Sequence, residues 1–119
     1  MTKPSLDSFI VTPDSTLLEA ASTMEDNKSR AVVVVSDLSS MKVIGVLSEG
    51  DILRALLTGS DIRAPLKGFI RKSFSYLLSE DIEKAKKLFI EKGFGLLPIV
   101  DQNMKLTSVM TLLDCLQNS

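Results

Sequence analysis

Apolar residues recur along the chain in two rhythms, and the rhythms change in the same order twice. Phe9 and Val11 alternate with polar or small neighbours, as do Phe74 and Tyr76, which predicts a short strand at each place. Leu17, Ala20, Ala21 and Met24 then fall on one helical face, and Ile82, Ala85, Leu88 and Phe89 do the same further along. Thr16 and Glu19 have the spacing of a capping box for the first helix, and Asp81 suits the N-cap of the second. Each helix leads into two β-forming runs joined by a short polar connection, AVVVV with VIGVL and LLPIV with LTSVM, so each half should hold an antiparallel hairpin. Pro98 lacks an N–H, so its nitrogen must face an edge or an irregular spot. A closing helix follows each hairpin, from Asp51 to about Thr58 before Gly59, and from Asp114 onward.

The chain therefore reads as one β-α-β-β-α unit present twice. Ala20 matches Ala85 at an offset of 65, and Asp51 matches Asp114 at 63, which puts two extra residues of the first copy in the polar loop SDLSSMK. The boundaries drawn this way are residues 1–60, a linker at 61–73 and residues 74–119. Pro65 and Gly68 punctuate that mostly polar linker. A three-stranded sheet with two helices leaves one sheet face bare. Two such sheets packed face to face cover both, so the fold class expected is α/β (α+β), with pseudo-two-fold symmetry and one globular module.

Composition narrows the chemistry. The 119 residues include 14 basic and 15 acidic side chains, a net charge of −1, which leaves no overall electrostatic footprint for a nucleic-acid backbone. The start, MTKPSLDSF, lacks an apolar signal core, and no later stretch has the apolar length of a membrane span, so a soluble cytoplasmic protein is expected. There is no histidine, the commonest general acid/base and metal ligand, and Cys115 is the single cysteine, placed on a helix as a small buried hydrophobe. No catalytic constellation, cofactor requirement or metal site follows from these residue types.

The junctions GVLSEGDIL and SVMTLLDCL place Ser48 three residues before Asp51 and Thr111 three before Asp114. The spacing is that of a capping box. A capping box prefers the longer Glu or Gln, however, and a helix start with a hydroxyl and a carboxylate also suits a nucleotide. Its N–H groups favour phosphate, and the carboxylate can accept both ribose hydroxyls. Both readings stand on the residues alone.

The duplicated unit, the EA…M helix, the LPIVD strand and the GVLSEGDIL junction together resemble the cystathionine β-synthase (CBS) domain in its tandem form, the Bateman module, over about residues 5–116. The resemblance implies a regulatory, energy-sensing module that binds adenosine ligands (AMP, ADP, ATP or S-adenosylmethionine) in clefts between the repeats. It assigns ribose to Asp51 with Ser48 and to Asp114 with Thr111. It draws an adenine pocket from Ile10, Val11 and Val32 in copy one and from Ser75, Tyr76 and Leu97 in copy two, and gives phosphate to Arg30. Lys28 and Arg54 are weaker phosphate candidates.

Copy two departs from this pattern at Gly95, where copy one has Arg30, at Ser108 in place of Gly45, and at Leu112 and Leu113 after Thr111. These changes make it the poorer site. Similar modules associate through the helices that carry Leu53, Leu56 and Leu57 and Leu112, Leu113 and Leu116, which implies a homodimer, and with no effector domain in view the output would pass to another protein. The alternative is a non-catalytic interaction scaffold whose pockets are vestigial.

Overall fold

In the computed structural model, which describes residues 5–93 and 95–117, a short 3-10 turn at Leu6–Phe9 leads into strand β1 (Ile10–Val11) and helix α1 (Leu17–Asn27). Strands β2 (Ala31–Val35) and β3 (Val43–Ser48) and helix α2 (Glu49–Leu57) complete the first half. After a second 3-10 turn at Leu66–Gly68, the other half contains α3 (Ile82–Lys92), β4 (Leu96–Val100), β5 (Leu106–Thr111) and α4 (Leu112–Gln117).

The two long helices begin where their caps are. The Glu19 amide donates to Thr16 Oγ1 at 3.1 Å while the Thr16 amide donates to Glu19 Oε1 at 3.1 Å, and the Lys84 amide donates to Asp81 Oδ1 at 3.1 Å. Both helices end at a left-handed residue, Lys28 and Gly93. The closing helices start at Glu49 and Leu112, two residues before Asp51 and Asp114. Each Asp thus sits at the third helical position, where a capping box needs it.

β1 runs parallel to β2, and β2 pairs antiparallel with β3; β4 and β5 form a separate antiparallel pair. The hairpin loops are residues 36–42 and 101–105, so the two extra residues of copy one do lie in its hairpin. The strand expected at Phe74 and Tyr76 does not form. Copy two pairs only through an isolated bridge one residue later, where the Leu77 amide donates to the Pro98 carbonyl at 2.9 Å and the Val100 amide donates to the Leu77 carbonyl at 2.9 Å. The next rung of this parallel ladder would need an N–H from Pro98. It has none, so the ladder stops after one bridge.

The sheets pack face to face. Phe9, Ile10, Val33, Val35 and Val43 from the first half meet Leu96, Val100, Leu106 and Val109 from the second in one central cluster. Outside it, Val32, Val34 and Leu47 pack on Leu17, Ala20, Met24, Ile52 and Ala55. On the opposite side, Leu97, Ile99 and Met110 pack on Ala85, Phe89 and Cys115. The order of layers is helices, sheet, sheet, helices. At the hairpin tips the Val43 amide donates to the Met104 carbonyl and the Leu106 amide to the Met41 carbonyl, both at 2.9 Å. The two bonds are related by the same 63-residue offset, as the pseudo-two-fold axis requires.

The linker proves more than a polar connector. Ala64 and Ile62 carbonyls accept from the Leu17 and Leu18 amides at 2.9 and 2.8 Å, satisfying the open start of α1, and Leu66 is fully buried in the first helix-side cluster. Its last residues then cross β3, with Val46 and Arg71 exchanging two backbone bonds of 3.2 Å. Among the described residues no helix is long and apolar enough to cross a membrane.

Candidate functional site

The end of β3 delivers the site. Ser48 is extended (φ −114°, ψ 167°), which brings its N–H within reach of the short Asp51 side chain. The Ser48 amide donates to Asp51 Oδ2 at 2.9 Å, the Ser48 hydroxyl donates to the same oxygen at 3.0 Å, and the Asp51 amide donates to Ser48 Oγ at 3.2 Å. In copy two the Thr111 amide donates to Asp114 Oδ2 at 2.9 Å and the Asp114 amide to Thr111 Oγ1 at 3.1 Å. Both junctions are closed capping boxes. The shortness of Asp, which pointed away from a cap in the sequence, is no obstacle to one.

Capping occupies only one oxygen of Asp51. The other, Oδ1, accepts from Arg54 Nη2 at 2.7 Å and from Arg71 Nη2 at 2.8 Å. Partial burial pushes this carboxyl up, but the Ser48 amide, Arg71, Arg54 and the Ser48 hydroxyl together outweigh it and hold the group below its ordinary value.

Asp51 lies in a cleft of about 480 Å³ that also takes in Arg30, Ser48 and Arg71 from the first half and linker, and Lys92, Gly95 and Leu96 from the second. An adjoining hollow of about 360 Å³ shares Arg71, Lys92 and Leu96 and adds Ser73, Phe74 and Ser75. The cleft thus runs between the repeats, within the size range of small-ligand sites.

Ser48, Asp51 and Arg30 line this one cleft together. Arg30 is exposed, its Nε 3.7 Å from Glu49, and its carbonyl accepts from the Glu49 amide at 3.0 Å. Ser75 lines the adjoining hollow. Tyr76 is partly exposed, its ring 5.8 Å from that of Phe74. Val32 and Leu97 are fully buried, and Val11 and Ile10 also lie in core clusters, so these four do not line the cleft. Thr111 and Asp114 stand outside it, although Leu112 next to them contributes to its wall.

Arg71 and Lys92 were not singled out from the sequence. Arg71 reaches Asp51 from 20 residues away because the linker crosses β3, and nothing local in RKS signals that. Gly95, which stands where copy one has Arg30, has a steric role: a Cβ there would lie 2.5 Å from the Ser29 carbonyl oxygen.

The profile of the CBS domain matches residues 1–58 and again 70–119. An uncharacterised protein of Methanopyrus kandleri is 32% identical over 108 residues, covering 88% of this chain. The chain spans less than two thirds of the first curated relatives that it matches, 54% of this one. Among solved structures, a CBS domain protein from Pyrobaculum aerophilum complexed with AMP superposes with a TM-score of 0.76 at 20% identity, over 96% of this chain and 85% of that one. A Methanocaldococcus jannaschii protein, proposed as an archaeal homologue of the AMPK γ chain, gives a TM-score of 0.75 at 26% identity, over 92% of this chain and 45% of that one. With a match in each half, a shared fold and the repeat folded about one axis, the chain belongs to the CBS domain family as a tandem pair.

Proposed function

We propose that this module is a regulatory sensor that binds an adenine nucleotide in the cleft beside Ser48 and Asp51 and passes the signal to a partner protein, with no chemistry of its own. The observation that carries the reading is the inter-repeat cleft itself. It sets a carboxylate suited to a ribose diol at the start of α2 among three cationic side chains, Arg30, Arg71 and Lys92, suited to phosphate. The AMP held by the Pyrobaculum aerophilum protein supports AMP as the first ligand to test, with ADP, ATP and S-adenosylmethionine beside it. Asp114 with Thr111 would serve a second, weaker site. A calorimetric screen against these ligands, with guanosine nucleotides as controls, is expected to show binding confined to the adenosine series.

A second reading has its own observation: both Ser/Thr-x-x-Asp junctions are fully closed within the chain, as a scaffold that only caps its helices would have them. Silence across the adenosine series at millimolar concentration would establish that reading and overturn the sensor.

A further inference from the structure

Asp51 is engaged at both oxygens. Oδ2 is fixed in the capping box by the Ser48 amide and hydroxyl, so the carboxylate cannot swing away without opening the start of α2. Oδ1 is covered by Arg54 and Arg71. The Asp51 side chain is only 13% exposed, whereas those of Arg54 and Arg71 are 62% and 48% exposed. A ribose diol approaching Oδ1 must therefore displace guanidinium, and the arginines are the parts free to move.

Displacement by a neutral sugar is a poor exchange. It replaces charge-assisted N–H bonds with hydroxyl bonds and leaves the guanidinium to water. A phosphate on the same ligand changes the balance, because its oxygens offer the displaced planar guanidinium a bidentate anionic partner. Arg71 is the better placed of the two, since it lines both the cleft and the adjoining hollow while touching Asp51.

We infer that Arg54 and Arg71 form a phosphate-operated latch over Asp51, so that the site takes nucleoside phosphates and rejects the corresponding nucleosides. The inference rests on the nucleotide reading above and sharpens it. It names the anion as the feature that opens the ribose subsite, and it excludes S-adenosylmethionine, which carries no phosphate. Arg71 is here a specificity-determining residue with two opposed effects: it attracts the phosphate and obstructs the sugar.

The opposed effects give the test. AMP and adenosine are titrated calorimetrically into wild type, Arg71→Gln and Arg54→Gln, each checked for an unchanged circular dichroism spectrum. Arg54→Gln leaves the linker crossing untouched and carries the test alone if Arg71→Gln misfolds. Wild type is expected to bind AMP at least about tenfold tighter than adenosine, the worth of one charge-assisted contact. In the variants AMP should weaken while adenosine tightens, so the preference collapses from both sides. Adenosine affinity that is unchanged or weaker in both variants overturns the latch, because arginines that only attract phosphate would leave the nucleoside indifferent. If wild type binds neither ligand, the nucleotide reading falls and takes the latch with it; binding of both without the crossing effect removes the latch alone.

Discussion

Asp51 holds the start of α2 through Oδ2 and two arginines through Oδ1, which fixes its response to acid. Its folded pKa lies below the ordinary value, so its contribution to stability is fully present above the unfolded value of about 3.9 and is lost as pH falls through the folded one. With no histidine in the sequence, no imidazole titrates between about pH 5 and 8. Thermal melts should be nearly flat over that range and fall below about pH 4, and Asp51→Asn should blunt the acid limb. A midpoint that climbs or drops steeply between pH 5 and 8 would contradict this. The Ser48–Asp51 pair was legible in the sequence because capping is local, its partners only three positions apart. Arg71 was not, because only the fold decides which distant side chain a linker carries over a strand.

The elements follow the hydrophobic periodicity where it is long and depart from it where one backbone atom decides. Both hairpins and the four expected helices form, the two closing helices starting two residues before Asp51 and Asp114, but the strand at Phe74 and Tyr76 fails for want of an amide at Pro98. The polar composition of the linker likewise hid its docking, which is made by backbone carbonyls and by Leu66. The crossing of β3 depends on Gly45, where a Cβ would lie 2.6 Å from the Arg71 carbonyl oxygen and would collide with the Ile70 side chain. Gly45→Ser, the residue copy two uses at Ser108, should cost about 1–3 kcal/mol in denaturant melts by overpacking and should loosen Arg71 from Asp51. A neutral substitution would show that the linker can cross elsewhere.

For the whole molecule, two sheets face to face solve the problem that one repeat cannot, which is why this arrangement could be read from the duplication alone. What the repeat does not cover is the outer leucine surface. Leu53, Leu56 and Leu57 on α2 and Leu112, Leu113 and Leu116 on α4 are all exposed. We propose that those helices pair in a two-fold homodimer. Light scattering should give a dimer mass for the wild type and a monomer mass for Leu57→Glu with Leu113→Glu, and a wild-type monomer at high micromolar concentration would remove the dimer.

The proposed ligand-binding role is tested most directly at Asp51. AMP should be titrated calorimetrically into wild type, Asp51→Ala and Asp114→Ala, with GMP as control and a denaturant melt of each apo protein. The expected result is binding of AMP and not GMP by the wild type, a sharp loss in Asp51→Ala that far exceeds its loss of about 1 kcal/mol in apo stability, and a smaller loss in Asp114→Ala. Equal AMP affinities for wild type and Asp51→Ala, with only stability reduced, would leave the junction as a helix cap and contradict the assignment of the cleft as a nucleotide site.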